Sequence, residues 1–291
     1  MNAFTIKDIE NLSGVKAHTI RIWEQRYNFL KPNRTETNIR YYTNDELKII
    51  LNIALLNRFG FKISHINKMS APEIKTKLYS LSHQQAKHEL IVNELITYMV
   101  DLDIDKFEEL LDRQIQEKGI DLIINEIIFP FLERIGLLWV TNNINPAQER
   151  LVTNIIRQKI IAGLETIASS IKSDKVALLF LPENEFHELG LLYVYYLLKN
   201  RGVRVLYLGA DIPLEDLDFV VRAKRPHYLY THLTVVANNF SIEKVMYNMY
   251  SKITHVPVII SGPVTINYKK PVPPGFHLKK SLQEVKEFIQ T

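Results

Sequence analysis

Apolar positions along the chain follow three successive rhythms. Up to about residue 75 they fall in short helical spacings broken by polar turns. Thr5 can cap a helix carrying Ile6, Ile9 and Leu12, and Gly14 ends it. A second helix is predicted over 17–27. The segment "NFLKPNRTETNIRYY" has no helical period and is rich in Pro, Asn and Thr, which suits a β-hairpin or wing. "TNDELKIILNIALLNRFG" restarts a helix with Thr43 and, three residues on, Glu46, the spacing of a capping box, and Gly60 closes it. "SHINKM" and "APEIKTKLYSL" read as further short helices.

From about 84 to 171, apolar residues recur every three or four positions in "ELITYMVDLD", "DKFEELLDRQIQEKG", "DLIINEIIFPFLERIGLLW" and "PAQERLVTNIIRQKIIAGLETIASSI". Four amphipathic helices in a row predict a helical bundle, with a kink or break at Pro130. The last part changes character. "KVALLFL", "VRVLYLG", "HYLYTHL" and "VPVIIS" are short apolar strand-type runs, with helical segments over 188–200, 213–222 and 242–252 and a closing helix in "SLQEVKEFIQT". Strands alternating with helices predict right-handed βαβ units and a parallel sheet. The expected fold is thus multidomain α and α/β. A winged helix-turn-helix head covers 1–75, a four-helix-bundle cap 76–172, and a Rossmann-like doubly wound parallel sheet 173–291.

Charge sharpens the picture of the head. Residues 1–75 hold 12 Lys/Arg against 7 Asp/Glu, whereas the rest holds 24 against 25, so the positive excess lies in the first quarter. That points to a polyanion-binding module. On the second helix, Lys16, His18, Thr19 and Arg21 are candidates to face a DNA major groove while Ile20 and Trp23 pack inward. In the wing, Arg34 and Arg40 offer charge, and Tyr41 and Tyr42 offer phosphate-bonding hydroxyls. No apolar run reaches the roughly 20 residues of a membrane span, and the N-terminus lacks a signal-peptide layout. The absence of cysteine rules out disulfides, thiolate metal sites and a cysteine nucleophile, and fits the cytoplasm.

In the sheet region the chemistry gathers at "LPENEFHELG". His187 follows the first strand by a few residues, so it falls at the ligand-binding edge of a parallel sheet. Glu185 can orient its imidazole and raise its basicity, and Gly190 leaves room at the helix start. With no second His or Cys nearby, a metal here needs a group that brings its other ligands. These residues alone leave two readings: a helix-start histidine bonded to its neighbours, or a metal ligand.

The letters themselves carry resemblances. "TIKDIENLSGVKAHTIRIWEQRYNFLKPNRTETNIRYYTNDEL" resembles the DNA-binding domain of the MerR family of bacterial regulators, over essentially all of residues 4–70. The resemblance implies binding as a dimer to inverted repeats in double-stranded promoter DNA. "ENEFHELGLLYVYYLLKNRGVRVLYLGADIPLEDL" resembles cobalamin-binding domains of the methionine synthase type. That resemblance implies that His187 ligates the cobalt of cobalamin from its lower face, with Glu185 hydrogen-bonded behind it. It also implies that the displaced nucleotide base slots into the sheet. Gly190, Gly209, Asp211, Thr231 and Gly262 occupy the matching cofactor positions. "FPFLERIGLLWVTNNINPAQER" looks like the cap over cobalamin's upper face, with Trp139, Glu149 and Arg150 at the corresponding places.

The order of the three parts is similar to the adenosylcobalamin-dependent, light-sensing repressors of the CarH/LitR type, which implies self-association to a dimer or tetramer and regulation rather than enzyme activity. Several positions depart from that pattern, among them the missing glycine after Trp139, where "WVTNNINP" has asparagines. Arg150 stands where the family has a histidine and is a very poor metal ligand. Pro263 follows Gly262 where the family has paired glycines, and Thr231 replaces a serine. A regulator whose cobalamin-type domain has lost the cofactor and serves oligomerisation or partner binding is the alternative; an enzyme would need a substrate domain that this order of parts lacks.

Overall fold

The computed structural model describes residues 3–140, 144–167, 173–234 and 241–290, with the side chains of 137–140 left out. The chain divides into two compact units, Met1–Ile156 and Arg157–Thr291. The head and most of the helical segment, read from sequence as separate domains, share the first unit.

In that unit α1 (Ile6–Ser13) starts at a Thr5–Asp8 capping box and stops at left-handed Gly14. Helix α2 (Ala17–Arg26) buries Ile20 and Trp23, as their helical spacing predicts. The wing is a short antiparallel pair, β1 (Asn33–Arg34) and β2 (Arg40–Tyr41). Helix α3 (Asn44–Arg58) opens on the expected Thr43–Glu46 box. Two short helices, α4 (Ile63–Ile66) and α5 (Ala71–Tyr79), lead to α6 (Gln84–Asp101) and α7 (Ile104–Lys118). Helix α6 buries Leu90, Ile91, Val92, Leu95, Ile96 and Met99, more than one face, because α3, α7 and α9 all pack on it.

Pro130 does not break the third bundle helix. α8 (Ile120–Ile123), a π-helical turn (Ile124–Ile128) and α9 (Phe129–Val140) follow one another without interruption. Proline has no N–H for the usual ladder, and its ring crowds the preceding turn. Widening that turn so that Phe129 N–H reaches the Ile124 carbonyl absorbs the misfit without ending the helix. Helix α10 (Pro146–Glu165) is anchored at its start by Gln148, whose amide nitrogen donates to the Met99 and Val100 carbonyls at the end of α6.

The second unit is a five-stranded parallel sheet in the order β4-β3-β5-β6-β7. Its elements are β3 (Val176–Pro182), α11 (Leu189–Asn200), β4 (Arg204–Ile212), α12 (Leu214–Lys224), β5 (Tyr228–His232), α13 (Ile242–Lys252), β6 (Val258–Ser261), α14 (Pro263–Ile266), β7 (Phe276–Leu278) and α15 (Leu282–Gln290). Both faces are covered, as a doubly wound sheet requires. Leu217 and Val221 of α12 and Met246 and Met249 of α13 pack on one face. Leu191, Val194 and Leu198 of α11 and Val285 of α15 pack on the other. The edge strand β7 was not foreseen: "FHL" is too short to show a period. Among the described residues no helix is long and apolar enough to cross a membrane.

The capping geometry gives a direct prediction. Thr43→Ala removes the acceptor for the Glu46 amide and should cost about 1 kcal/mol of stability, measured by urea unfolding followed by circular dichroism.

Candidate functional site

In the order β4-β3-β5-β6-β7 the chain leaves β3 in one direction for β4 and crosses back to β5, so the switch point lies between β3 and β5. Ligands of open α/β sheets bind in the crevice outside the carboxyl ends of the strands at such a point. "LPENEFHELG" leaves β3 there. Glu185 is buried, with 1% of its surface exposed. Its Oε1 accepts from the His187 backbone N–H at 3.0 Å and lies 2.7 Å from His187 Nδ1. Its Oε2 accepts from the Thr234 N–H at 2.9 Å, just past the end of β5. One carboxylate therefore spans the switch point. With Nδ1 engaged, Nε2 is the nitrogen of His187 suited to a metal, and the side chain is about a third exposed.

The loop around it is held in costly backbone. Asn184 and Asp211 both take left-handed conformations (φ 66° and 58°), which are unfavourable for residues with a Cβ, though less so for Asn and Asp than for most. They face each other across the ends of β3 and β4: the Asn184 N–H donates to Asp211 Oδ1 at 2.9 Å, and the Asp211 N–H donates to the Glu185 carbonyl at 3.2 Å. Gly209 sits where the β3–β4 register slips. A Cβ there would lie 3.2 Å from Glu188 Oε1, the oxygen that also accepts from the Tyr207 hydroxyl. Glu188 in turn pairs with Arg157 at 2.9 Å.

The remaining sheet candidates line β5 and β6. Thr231 is fully buried at the end of β5, and its Oγ1 has no hydrogen-bond partner among the described residues. Gly262 has φ 104°, and a Cβ there would collide with the Leu233 backbone, so no other residue fits. Gly190 faces the imidazole of His232, which fills the space its missing side chain leaves. His232 was not singled out in the sequence, although a histidine closing an apolar strand next to Thr231 was a usable signal. Its Nδ1 lies 2.9 Å from Ser261 Oγ, which accepts the Tyr230 hydroxyl at 2.6 Å. Burial pushes the His232 pKa down to about 4 against a smaller opposing pull from Glu185, so the ring is neutral near pH 7. Among the described residues no group of three or more His, Cys, Asp or Glu is placed to hold a metal ion by itself.

The helical candidates lie in the other unit. Glu149, half-buried, and Arg150, exposed, sit in the first turn of α10. Trp139 belongs to the last turn of α9, and its side chain lies outside the described residues.

In the head, Lys16, His18 and Arg21 are exposed and Thr19 is half-buried at the start of α2. Arg34 is exposed, its Nη1 donating to Asn38 Oδ1 at 2.7 Å, and Tyr41 is half-buried. Arg40 pairs with Glu24 at 3.2 Å. Tyr42 corrects the sequence reading. It is fully buried, exchanges backbone hydrogen bonds with Phe4 and donates its hydroxyl to Glu24. The phenol therefore joins the wing to α2 from inside the core and has no reach to a phosphate. Alternation along the wing separates it from its neighbour: Tyr41 and Tyr42 point to opposite sides.

Comparison with known proteins agrees with this layout. Residues 4–71 match the MerR HTH family regulatory protein model, and residues 91–162 match a B12 binding domain model. The chain is 29% identical over 232 residues to the HTH-type transcriptional repressor CarH of Myxococcus xanthus, covering 78% of this chain and 77% of that protein. It is 25% identical over 259 residues to the HTH-type transcriptional repressor CarA of the same organism, covering 88% and 85%. Among solved structures, the Methanosarcina barkeri monomethylamine corrinoid protein shares the fold with a TM-score of 0.52 at 13% identity, over 69% of this chain and 97% of that one. The chain is thus a MerR-type DNA-binding regulator with a B12-binding domain, homologous over most of its length to the CarH and CarA repressors.

Proposed function

We propose that this regulator represses transcription in the cytoplasm and that cobalamin, in its adenosyl form, sets its self-association and its hold on inverted-repeat promoter DNA. The observation that carries the cofactor reading is the pairing of His187 with buried Glu185 at the switch point of the sheet. A partly exposed imidazole backed by a carboxylate is the donor that a corrinoid asks of a protein, because the macrocycle supplies the other cobalt ligands. The Thr231 hydroxyl, unpartnered among the described residues, fits a polar ligand entering the same crevice. When bound, adenosylcobalamin supplies a cobalt–carbon bond that light can break. On this reading His187 would ligate the cobalt, Glu185 would fix its ring and tautomer, and the Asn184–Asp211 contact would hold the loop that carries them. The names of the CarH and CarA relatives support repression.

A second reading, association without cofactor, is favoured by Arg150, whose guanidinium does not ligate metals, and by Pro263, which starts α14 directly after Gly262. Gel filtration in the dark with added adenosylcobalamin, read by visible spectrum, separates the two. The cofactor reading expects retained colour and an assembly that dissociates on illumination; a colourless protein peak overturns it. If colour is retained, His187→Ala should shift the cobalt-ligation bands, and an unchanged spectrum removes His187 from the lower face. In the head, Arg21→Ala should weaken operator binding by about 1–3 kcal/mol relative to bulk DNA in competition binding; equal losses on both would make it a phosphate contact.

A further inference from the structure

One polar network runs from the B12-binding segment to the DNA-binding head without touching either candidate site. It begins on α9, where Arg134 Nη1 donates to Asn93 Oδ1 of α6 at 2.7 Å and Nη2 lies 3.7 Å from Glu89 Oε2, also on α6. The same Glu89 oxygen pairs with Arg58 Nη1 at the end of α3. Arg58 Nη2 then donates to the Ser13 carbonyl at 3.0 Å, in the last residue of α1. It also lies 2.9 Å from where a Cβ on Gly14 would be. Asn93 closes the mesh by donating to the Leu51 carbonyl of α3 at 3.4 Å. Ser13 and Gly14 begin the turn that delivers α2, the helix carrying Lys16, His18, Thr19 and Arg21.

Two features make this more than a surface ion pair. Glu89 and Arg134 keep only 15% and 21% of their side chains exposed, so their charges are screened less than those of open pairs. Further, two guanidiniums share one carboxylate oxygen. The share of Glu89 left to Arg58 therefore depends on where α9 holds Arg134. Helix α1 also packs directly on α9, so a shift of α9 meets the head through both packing and charge.

We infer that Arg134, Glu89 and Arg58 are positioning residues for DNA recognition: through them the placement of α9 sets the turn that aims helix α2. Withdrawing Arg134 leaves Glu89 to Arg58 alone, draws the guanidinium from the Ser13 carbonyl and loosens the turn. The link between α9 and the turn stands on the geometry of this unit; its consequence for promoter binding rests on the DNA-binding reading above.

The test uses the full chain and Arg134→Met, which keeps bulk and removes charge and donors. Hydrogen–deuterium exchange should show amides of 14–17 exchanging several-fold faster, while those of α7 (Ile104–Lys118), outside the network, stay unchanged. Operator affinity, measured on a duplex from the protein's own promoter region, should fall about tenfold, with an unchanged slope against salt because no phosphate contact is lost. Arg134→Met combined with Glu89→Gln should cost no more than Glu89→Gln alone, the sign of residues acting through one another. Unchanged exchange in the turn, or additive losses, overturns the inference, as does faster exchange spread evenly over α7. If the wild-type chain binds no duplex, the DNA reading fails, and the exchange pattern still decides the relay.

Discussion

Everything in the sheet unit's site depends on satisfying one carboxyl group where water barely reaches it. Burying an unpaired carboxylate costs several kcal/mol. Glu185 avoids that cost with two backbone N–H groups and an imidazole, taken from both sides of the switch point. Satisfying its two oxygens therefore fixes three things together: the loop after β3, the residue after β5 and the direction of the His187 ring. The left-handed Asn184 and Asp211 tighten the same corner. Such strain persists only where the surroundings over-determine it, and it gathers at functional sites.

The head unit follows a different economy. Its parts are joined by packing through buried apolar residues and by side chains that reach backbone carbonyls: Arg58 to Ser13, Asn93 to Leu51, Gln148 to Met99 and Val100. A helix end or turn held in this way has one preferred seat.

What could be read in the sequence was what repeats or sits close together. The capping boxes at Thr5 and Thr43, the apolar faces of the helices and the first four parallel strands all follow from local pattern. The two-residue spacing of Glu185 and His187 made their contact foreseeable. What escaped depends on residues far apart in the chain. Tyr42 looks like a wing tyrosine until Phe4 and Glu24 enclose it. His232 gains its meaning from Gly190 and Ser261, on elements many residues away. The Arg58–Glu89–Arg134 mesh joins three helices whose charges, taken singly, look like ordinary solvated ones. The strand β7 pairs only because β6 offers an open edge.

The π-helical turn before Pro130 has a further consequence. Each residue of an α-helix turns the chain by about 100°, so one residue more or fewer in that turn would rotate all of α9 by that angle about its axis. Arg134, four residues beyond the proline, would then swing away from Glu89 and Asn93. The wide turn is thus a phase setting for α9. It makes the proline a fixed origin from which the rest of the helix is dialled, and an insertion or deletion before it would be felt where α9 meets α1.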